Sequence, residues 1–154
     1  MQELKHYDIF TLPNNNASEN IVCVTTNGMI RKDGNAVMGA GIAKTTNQRF
    51  HVAGKLAEHL RQNGNTVCDL GEYSYQDSKF HLFSFPTKQD WRDKSIPWLI
   101  ERSAKQLVDL VNAHGYKHVF LIPPGCGCGG LNYESDVKPI LESIFDDRFT
   151  IVFR

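Results

Sequence analysis

The chain has no net charge: 17 Lys and Arg balance 17 Asp and Glu. No global field therefore draws it onto nucleic acid or an anionic membrane, and any such contact has to come from a local patch. It also lacks an apolar stretch near the length of a membrane span, and its N-terminus has no signal-peptide pattern. Cysteine is sparse and scattered. Cys23, Cys68, Cys126 and Cys128 show no pairing pattern, and the last two form only a C-x-C with no second pair to complete a zinc set. Reduced thiols in a cytoplasmic protein are the expectation, with no metal and no cofactor. There are no repeats, no low-complexity tract and no linker. The nucleotide fingerprints are missing as well. No G-x-x-x-x-G-K-[ST] occurs, and the late glycine cluster lacks G-x-G-x-x-G spacing.

What is present is an ordinary soluble composition, 41% hydrophobic and 22% charged over 154 residues. That is enough chain for one domain, 1–154, with a real core. The most informative stretch is 118–133. Val119 to Ile122 is an unbroken apolar run that reads as a buried strand, and Pro123 and Pro124 stop it. Gly125, Gly127, Gly129 and Gly130 then fall within six residues, and a helix is expected from about Glu134. Strand, glycine loop and helix in that order bring bare backbone N–H groups up to an anion. A second glycine loop, Met38-Gly-Ala-Gly-Ile-Ala43, opens another helical stretch.

The rest of the chain alternates. Strands are expected over 2–10, 21–26, 66–76, 79–85, 119–122 and 149–153. Helical pattern runs from the Met38 loop to about Arg61, with a break near Asn47, and Asn63-Gly64 closes it. A further helix runs to about Ala113 behind Ser95 as its N-cap, and the last covers 134–145. Alternating strands and helices argue an α/β sandwich with a mixed, largely parallel central sheet, and ligands in such sheets sit beyond the carboxyl ends of the strands. Two anion-cradling loops facing one crevice suit a diphosphate. No exposed apolar stripe is visible, so a monomer is expected.

Four stretches in fixed order resemble a macro domain: Asp8-Ile9, Thr26-Asn27, Met38 to Ala43, and Pro124 to Leu131 followed by Asn132-Tyr133. Within that family the chain is similar to the DarG-type macro domains, antitoxin glycohydrolases that remove ADP-ribose from DNA. Phe85-Pro-Thr-Lys-Gln-Asp-Trp-Arg92 with Lys94-Ser95 looks like their lysine-bearing loop. The relatives that act on glutamate-linked ADP-ribose share the lysine and the Met-Gly-x-Gly-Ile-Ala loop.

The resemblance implies a three-layer α/β/α sandwich with ADP-ribose as ligand and de-ADP-ribosylation as activity. Asp8 would accept from the adenine amine, with Ile9 beside it. Asn27 would hold the distal ribose, or simply make the Asn-Gly turn. Gly39, Ala40, Gly41 and Ile42 would wrap the diphosphate, with Gly127, Cys128, Gly129, Gly130 and Leu131 on the other side. Tyr133 would pack on the adenosine side or simply be core, and core is the expectation. Lys88 would carry the chemistry, either as an amine attacking the opened sugar or as a donor to the departing group. Read from the residues alone, Lys88 is a solvated lysine and Asp8 a surface carboxylate. Trp91 and Arg92 are candidate contacts for an ADP-ribosylated DNA strand, by base stacking and phosphate binding.

Three departures bear on substrate. Glutamate-acting relatives have an aspartate where this chain has Gly129, which moves the expectation towards thymine-linked DNA adducts. Asp90 stands where the DarG group tends to have histidine. DarG antitoxins also carry a toxin-blocking domain, and with the sequence ending at Arg154 an antitoxin role in that sense is not expected. A phosphatase acting on ADP-ribose-1″-phosphate and a non-catalytic ADP-ribose reader are the alternatives within the same family.

Overall fold

The computed structural model describes residues 1–154. Its strands are β1 (Gln2–Lys5), β2 (Asn20–Thr26), β3 (Cys68–Tyr75), β4 (Ser78–Pro86), β5 (His118–Leu121) and β6 (Phe149–Phe153). Its helices are α1 (Gly41–Phe50), α2 (Ala53–Asn63), α3 (Pro97–His114) and α4 (Lys138–Glu142). The strands form one sheet in the order β1-β6-β5-β2-β4-β3, parallel throughout except for the antiparallel β3–β4 pair at one edge. No helix is long and apolar enough to cross a membrane.

Strand alternation sends side chains to two cores, one on each face of the sheet. On β2, Ile21 and Cys23 join the core under α3 and α4, while Val22 and Val24 join the core under α1 and α2. On β4, Phe83 and Phe85 go to the first and Phe80 and Leu82 to the second. The result is the expected three-layer sandwich. Because β2 is paired on both edges and covered on both faces, its sequence reads as a continuous apolar run.

Several boundaries differ from the sequence reading, each for a local reason. The first strand stops at Lys5, not at residue 10. His6 adopts a left-handed φ of 69°, and Asp8 then caps a 3-10 turn over Ile9–Thr11 by accepting the Phe10 N–H at 3.0 Å. The long helix does break, at His51 rather than at Asn47. Asn47 nevertheless organises the break: its carbonyl accepts from His51 N at 2.9 Å and its side chain accepts from Ala53 N at 3.0 Å, at the start of α2. Ser95 does not cap α3. Ile96 is the capping residue, without a side-chain bond, and Pro97 opens the helix where its missing N–H costs nothing. The last helix begins as one π-helical turn, Tyr133–Val137, and becomes α-helical only at Lys138. Pro139 lies in that junction and has no N–H to give to a continuous ladder.

Candidate functional site

The carboxyl ends of β2 and β4 and the chain leaving β5 open into one cleft of about 520 Å³. That is within the usual range for small-molecule sites, about 300–1,000 Å³. Thr25 and Thr26 end β2 on its floor, Thr87 and Lys88 leave β4 along one side, and Ile122 and Pro123 lead from β5 into the glycine loop on the other. A second hollow of about 390 Å³, lined by Asp8, Ile9, Phe10 and Arg49, shares Ile42 and Ile122 with the first. The two adjoin at Ile42 and Ile122 and together are taken as one trough.

The Met38 loop and the start of α1 make one wall. Gly41 holds φ at 58°, a backbone conformation open to glycine without penalty, and the chain turns into the helix there. Ala40 at the N-cap offers no side-chain bond, so the first N–H groups of α1 are left for water or an anion. Gly39, Ala40, Gly41 and Ile42 all line the cleft.

The opposite wall is built from two loops locked together. Ser95 N donates to Gly129 O at 2.9 Å, and Leu131 N donates to Gly125 O at 2.9 Å. Gly129 is a point of close approach: a Cβ added there would stand 2.5 Å from Gly125 O and nearer still to Ser95 Oγ. A side chain at this position therefore has no room, so the wall as built requires glycine there. Gly127, Cys128 and Gly129 line the cleft, whereas Gly130 and Leu131 do not.

Lys88 sits at the junction of these walls. Its Nζ donates to Asp93 O at 3.2 Å, Trp91 O at 3.4 Å and Cys128 O at 3.5 Å, so it touches both loops. The backbone behind it is anchored as well: Asn65 Nδ2 donates to Lys88 O at 3.1 Å, Gly28 N to Gln89 O at 2.9 Å, and Ile96 N to Thr87 O at 2.8 Å. Trp91 is 54% exposed and lines the cleft. Arg92 does not line it. Its guanidinium forks onto Asp90, at 3.0 Å and 2.7 Å, and these hydrogen bonds hold the Asp90 carboxyl down at about 2. Asp90 is thus committed to Arg92.

Comparison with known proteins decides the family. No family model matches the sequence. The DNA ADP-ribosyl glycohydrolase of Mycobacterium tuberculosis is 31% identical over 115 residues, 71% of this chain and 32% of that protein. Among solved structures, the macrodomain of Mycobacterium tuberculosis DarG superposes with a TM-score of 0.73 and 26% identity, covering 99% of this chain and 97% of that one. The chain is a macro domain of the DarG type. It spans about a third of the length of the curated relative. Thermosipho africanus DarTG, solved in complex with ADP-ribose, shares the fold at a TM-score of 0.70 and 20% identity, over 96% of this chain and 40% of that one.

On this macro-domain frame, most of the expected site residues come together. Asp8 and Ile9 line the smaller hollow, and Asn27, both glycine loops, Lys88 and Trp91 line the larger. Asn27 also does the structural work of a turn residue, with Nδ2 donating to Val37 O at 3.1 Å and Oδ1 accepting from Met29 N at 3.0 Å. Tyr133 is core, donating its hydroxyl to Glu3 at 2.7 Å. No group of three or more His, Cys, Asp or Glu side chains is arranged to hold a metal ion. Three participants were not read as site residues in their own right. The hydroxyls of Thr26 and Ser95, on residues 5% and 4% exposed, lie at the cleft without any hydrogen-bond partner. Arg49 pairs with Asp8 at 3.2 Å. Ser95 stands beside the lysine loop and Thr26 beside Asn27, so proximity to a motif was the available signal; Arg49 carried none.

Proposed function

We propose that this macro domain binds ADP-ribose along the trough and acts as an ADP-ribosyl glycohydrolase, with DNA as the modified macromolecule. The observation that carries the reading is the trough itself. It runs from an acceptor carboxylate, past an uncapped helix N-terminus and a facing glycine loop, to a lysine at the far end. That order matches adenine, diphosphate and distal ribose. The names of the mycobacterial relatives and the ADP-ribose complex of the Thermosipho protein support it.

Asp8 accepts from the adenine amine, and the Ile9 backbone flanks it. The N–H groups at the start of α1 and the bare backbone of Gly127 to Gly129 neutralise the diphosphate from two sides. Hydrolysis breaks the bond from the anomeric carbon to its acceptor atom; water supplies hydroxide to the sugar and a proton to the leaving group. The transition state resembles an oxocarbenium ion. Lys88 serves as the donor to the departing atom. A protonated lysine has three N–H groups and no acceptor, and all three now go to carbonyls, so serving that atom means releasing the longest contact, to Cys128 O at 3.5 Å. Trp91 offers an open ring face at the mouth for an unpaired base. Arg92 reaches a phosphate only by giving up Asp90.

The test is release of ADP-ribose from thymine-linked ADP-ribosylated DNA oligomers, run beside glutamate- and serine-modified peptides. DNA is the expected substrate. Lys88→Ala is expected to slow release by about 100-fold or more, the usual scale for a lost acid–base group, with ADP-ribose affinity changed less than about tenfold. Unchanged turnover in that variant removes Lys88 from the chemistry. Tight ADP-ribose binding without release from any of these substrates removes the enzyme assignment.

A further inference from the structure

Arg49 is a second charged group in the hollow around Asp8. It lies at the last turn of α1 and reaches back across 41 residues, placing Nη1 3.2 Å from Asp8 Oδ2. The other carboxylate oxygen, Oδ1, accepts the Phe10 N–H at 3.0 Å. The guanidinium is itself held from behind. It lies 4.2 Å from the Tyr75 ring centroid and 5.3 Å from that of Phe10. Phe10 is fully buried and packs edge-on against Phe50 at 5.3 Å. Both oxygens of Asp8 therefore have one fixed donor each, delivered by groups that are rigidly backed. Each oxygen keeps a lone-pair direction free, since a carboxylate accepts about four hydrogen bonds in all.

We propose that Arg49 is a positioning residue for base selection: it fixes the Asp8 carboxylate in one orientation so that the hollow accepts a purine with an exocyclic amine and rejects one with an exocyclic carbonyl. The chemistry follows from the base edges. Adenine presents an amine donor beside an acceptor ring nitrogen. Hypoxanthine presents a carbonyl acceptor beside an N–H donor, the reverse pattern. A carboxylate held still opposes its own lone pairs to that carbonyl. A carboxylate free to rotate swings away from it and accepts from the ring N–H instead. Selection thus depends on what prevents rotation, and of the two restraints Arg49 is the one contributed by another element. A guanidinium held by cation–π contact with two aromatic rings is pre-organised for this.

This inference rests on the ADP-ribose reading. The experiment is calorimetry on the 154-residue chain with ADP-ribose and with inosine diphosphate ribose, for the parent, Arg49→Met and Arg49→Lys. The parent is expected to prefer ADP-ribose by about 100-fold, the upper end of the cost of leaving a polar group unpaired. Arg49→Met keeps the apolar packing on Phe10 and Tyr75 and is expected to cut that ratio by about tenfold, the scale of one charge-assisted hydrogen bond. Arg49→Lys keeps a cation on Asp8 and restores most of the ratio. If Arg49→Met does not fold, Arg49→Gln, uncharged and two bonds shorter than arginine, is expected to show the same loss. An equal drop for both nucleotides, leaving the ratio intact, marks Arg49 as packing only and overturns the proposal. A parent that binds both nucleotides equally overturns it too, while leaving the diphosphate site standing. A parent that binds neither brings down the ADP-ribose reading and this inference with it.

Discussion

Gly129→Ala is the sharpest test of how the cleft wall is built. A methyl group there would stand 2.5 Å from Gly125 O and 2.8 Å from its carbonyl carbon, and closest of all to Ser95 Oγ. Carbon atoms do not approach that far, so something has to move. The Gly125 carbonyl is fixed by Leu131 N at 2.9 Å, and the Gly129 carbonyl is fixed by Ser95 N at 2.9 Å. Relief therefore strains or breaks one of these bonds. Overpacking costs about 1–3 kcal/mol, and a lost backbone hydrogen bond adds about 0.5–1.5 kcal/mol. The sum is roughly 2–4 kcal/mol. The opposing term is known in sign. The backbone at Gly129 is not left-handed, so alanine alone would stabilise by about 0.4–1 kcal/mol through the unfolded chain. Destabilisation would isolate the clash from any backbone effect.

For a domain of this size each kcal/mol moves Tm by about 2–4 °C, so the net cost of about 1–3.6 kcal/mol is expected to lower Tm in Gly129→Ala by roughly 2–14 °C. Ser95→Ala by itself removes an unpartnered buried hydroxyl and is expected to leave stability within about 0.5 kcal/mol of the parent or raise it. The double variant relieves the nearest contact but not the one with Gly125 O. It should recover about 1 kcal/mol, a coupling read from a double-mutant cycle by urea denaturation. A Tm for Gly129→Ala equal to or above the parent's would refute the packing described for this wall.

Two more predictions concern the frame. Tyr133→Phe removes the hydroxyl that donates to Glu3 at 2.7 Å and holds its carboxyl below the ordinary glutamate range, with Lys138 assisting. A depressed carboxyl stabilises the fold above its unfolded pKa and loses that contribution as pH falls through the folded one. The variant should be about 1 kcal/mol less stable at neutral pH, with the gap closing on acidification in urea melts; a gap that widens in acid contradicts the assignment. Asn20 is fully buried and its Nδ2 donates to Asn16 O at 2.8 Å and Lys79 O at 3.2 Å. Asn20→Ala strands both carbonyls and is expected to cost about 2–3 kcal/mol; a change below about 0.5 kcal/mol would show that water replaces it at no cost.

The sequence carried the sandwich because its signals are local. Period-two strands such as Phe80 to Phe85 and the spaced apolar faces of α2 and α3 state which side is buried without reference to anything distant. The two glycine loops were legible for the same reason. Boundaries failed where a tertiary demand overrode local preference. His6 takes a left-handed turn that no glycine announces. Ser95 looks like a helix cap, but the adjoining Gly129 loop claims its backbone, and the Leu99 N–H that a capping side chain at residue 96 would take goes to Ile96 O at 3.0 Å. The site was legible as a set of loops and not as a set of partnerships. Asp8 meets Arg49 across 41 residues, and Lys88 meets Cys128 across 40. Neither spacing leaves a trace in periodicity.

The position of Lys88 ties chemistry to architecture. Its ammonium group touches its own loop at Trp91 and Asp93 and the facing loop at Cys128, beside the bond from Ser95 N to Gly129 O. Removing it subtracts a donor from the cleft and a fastener from the wall at once. The two losses differ in size. Contacts of 3.2–3.5 Å lie at or beyond the long end for N–H···O bonds, and partly solvated ones contribute little to folding. A 100-fold loss of turnover is about 2.7 kcal/mol of barrier. If Lys88→Ala lost that much rate through a loosened wall, ADP-ribose binding and Tm would fall with it, because Gly127 to Gly129 serve both. Loss of rate with binding and melting preserved assigns the lysine to the bond being broken.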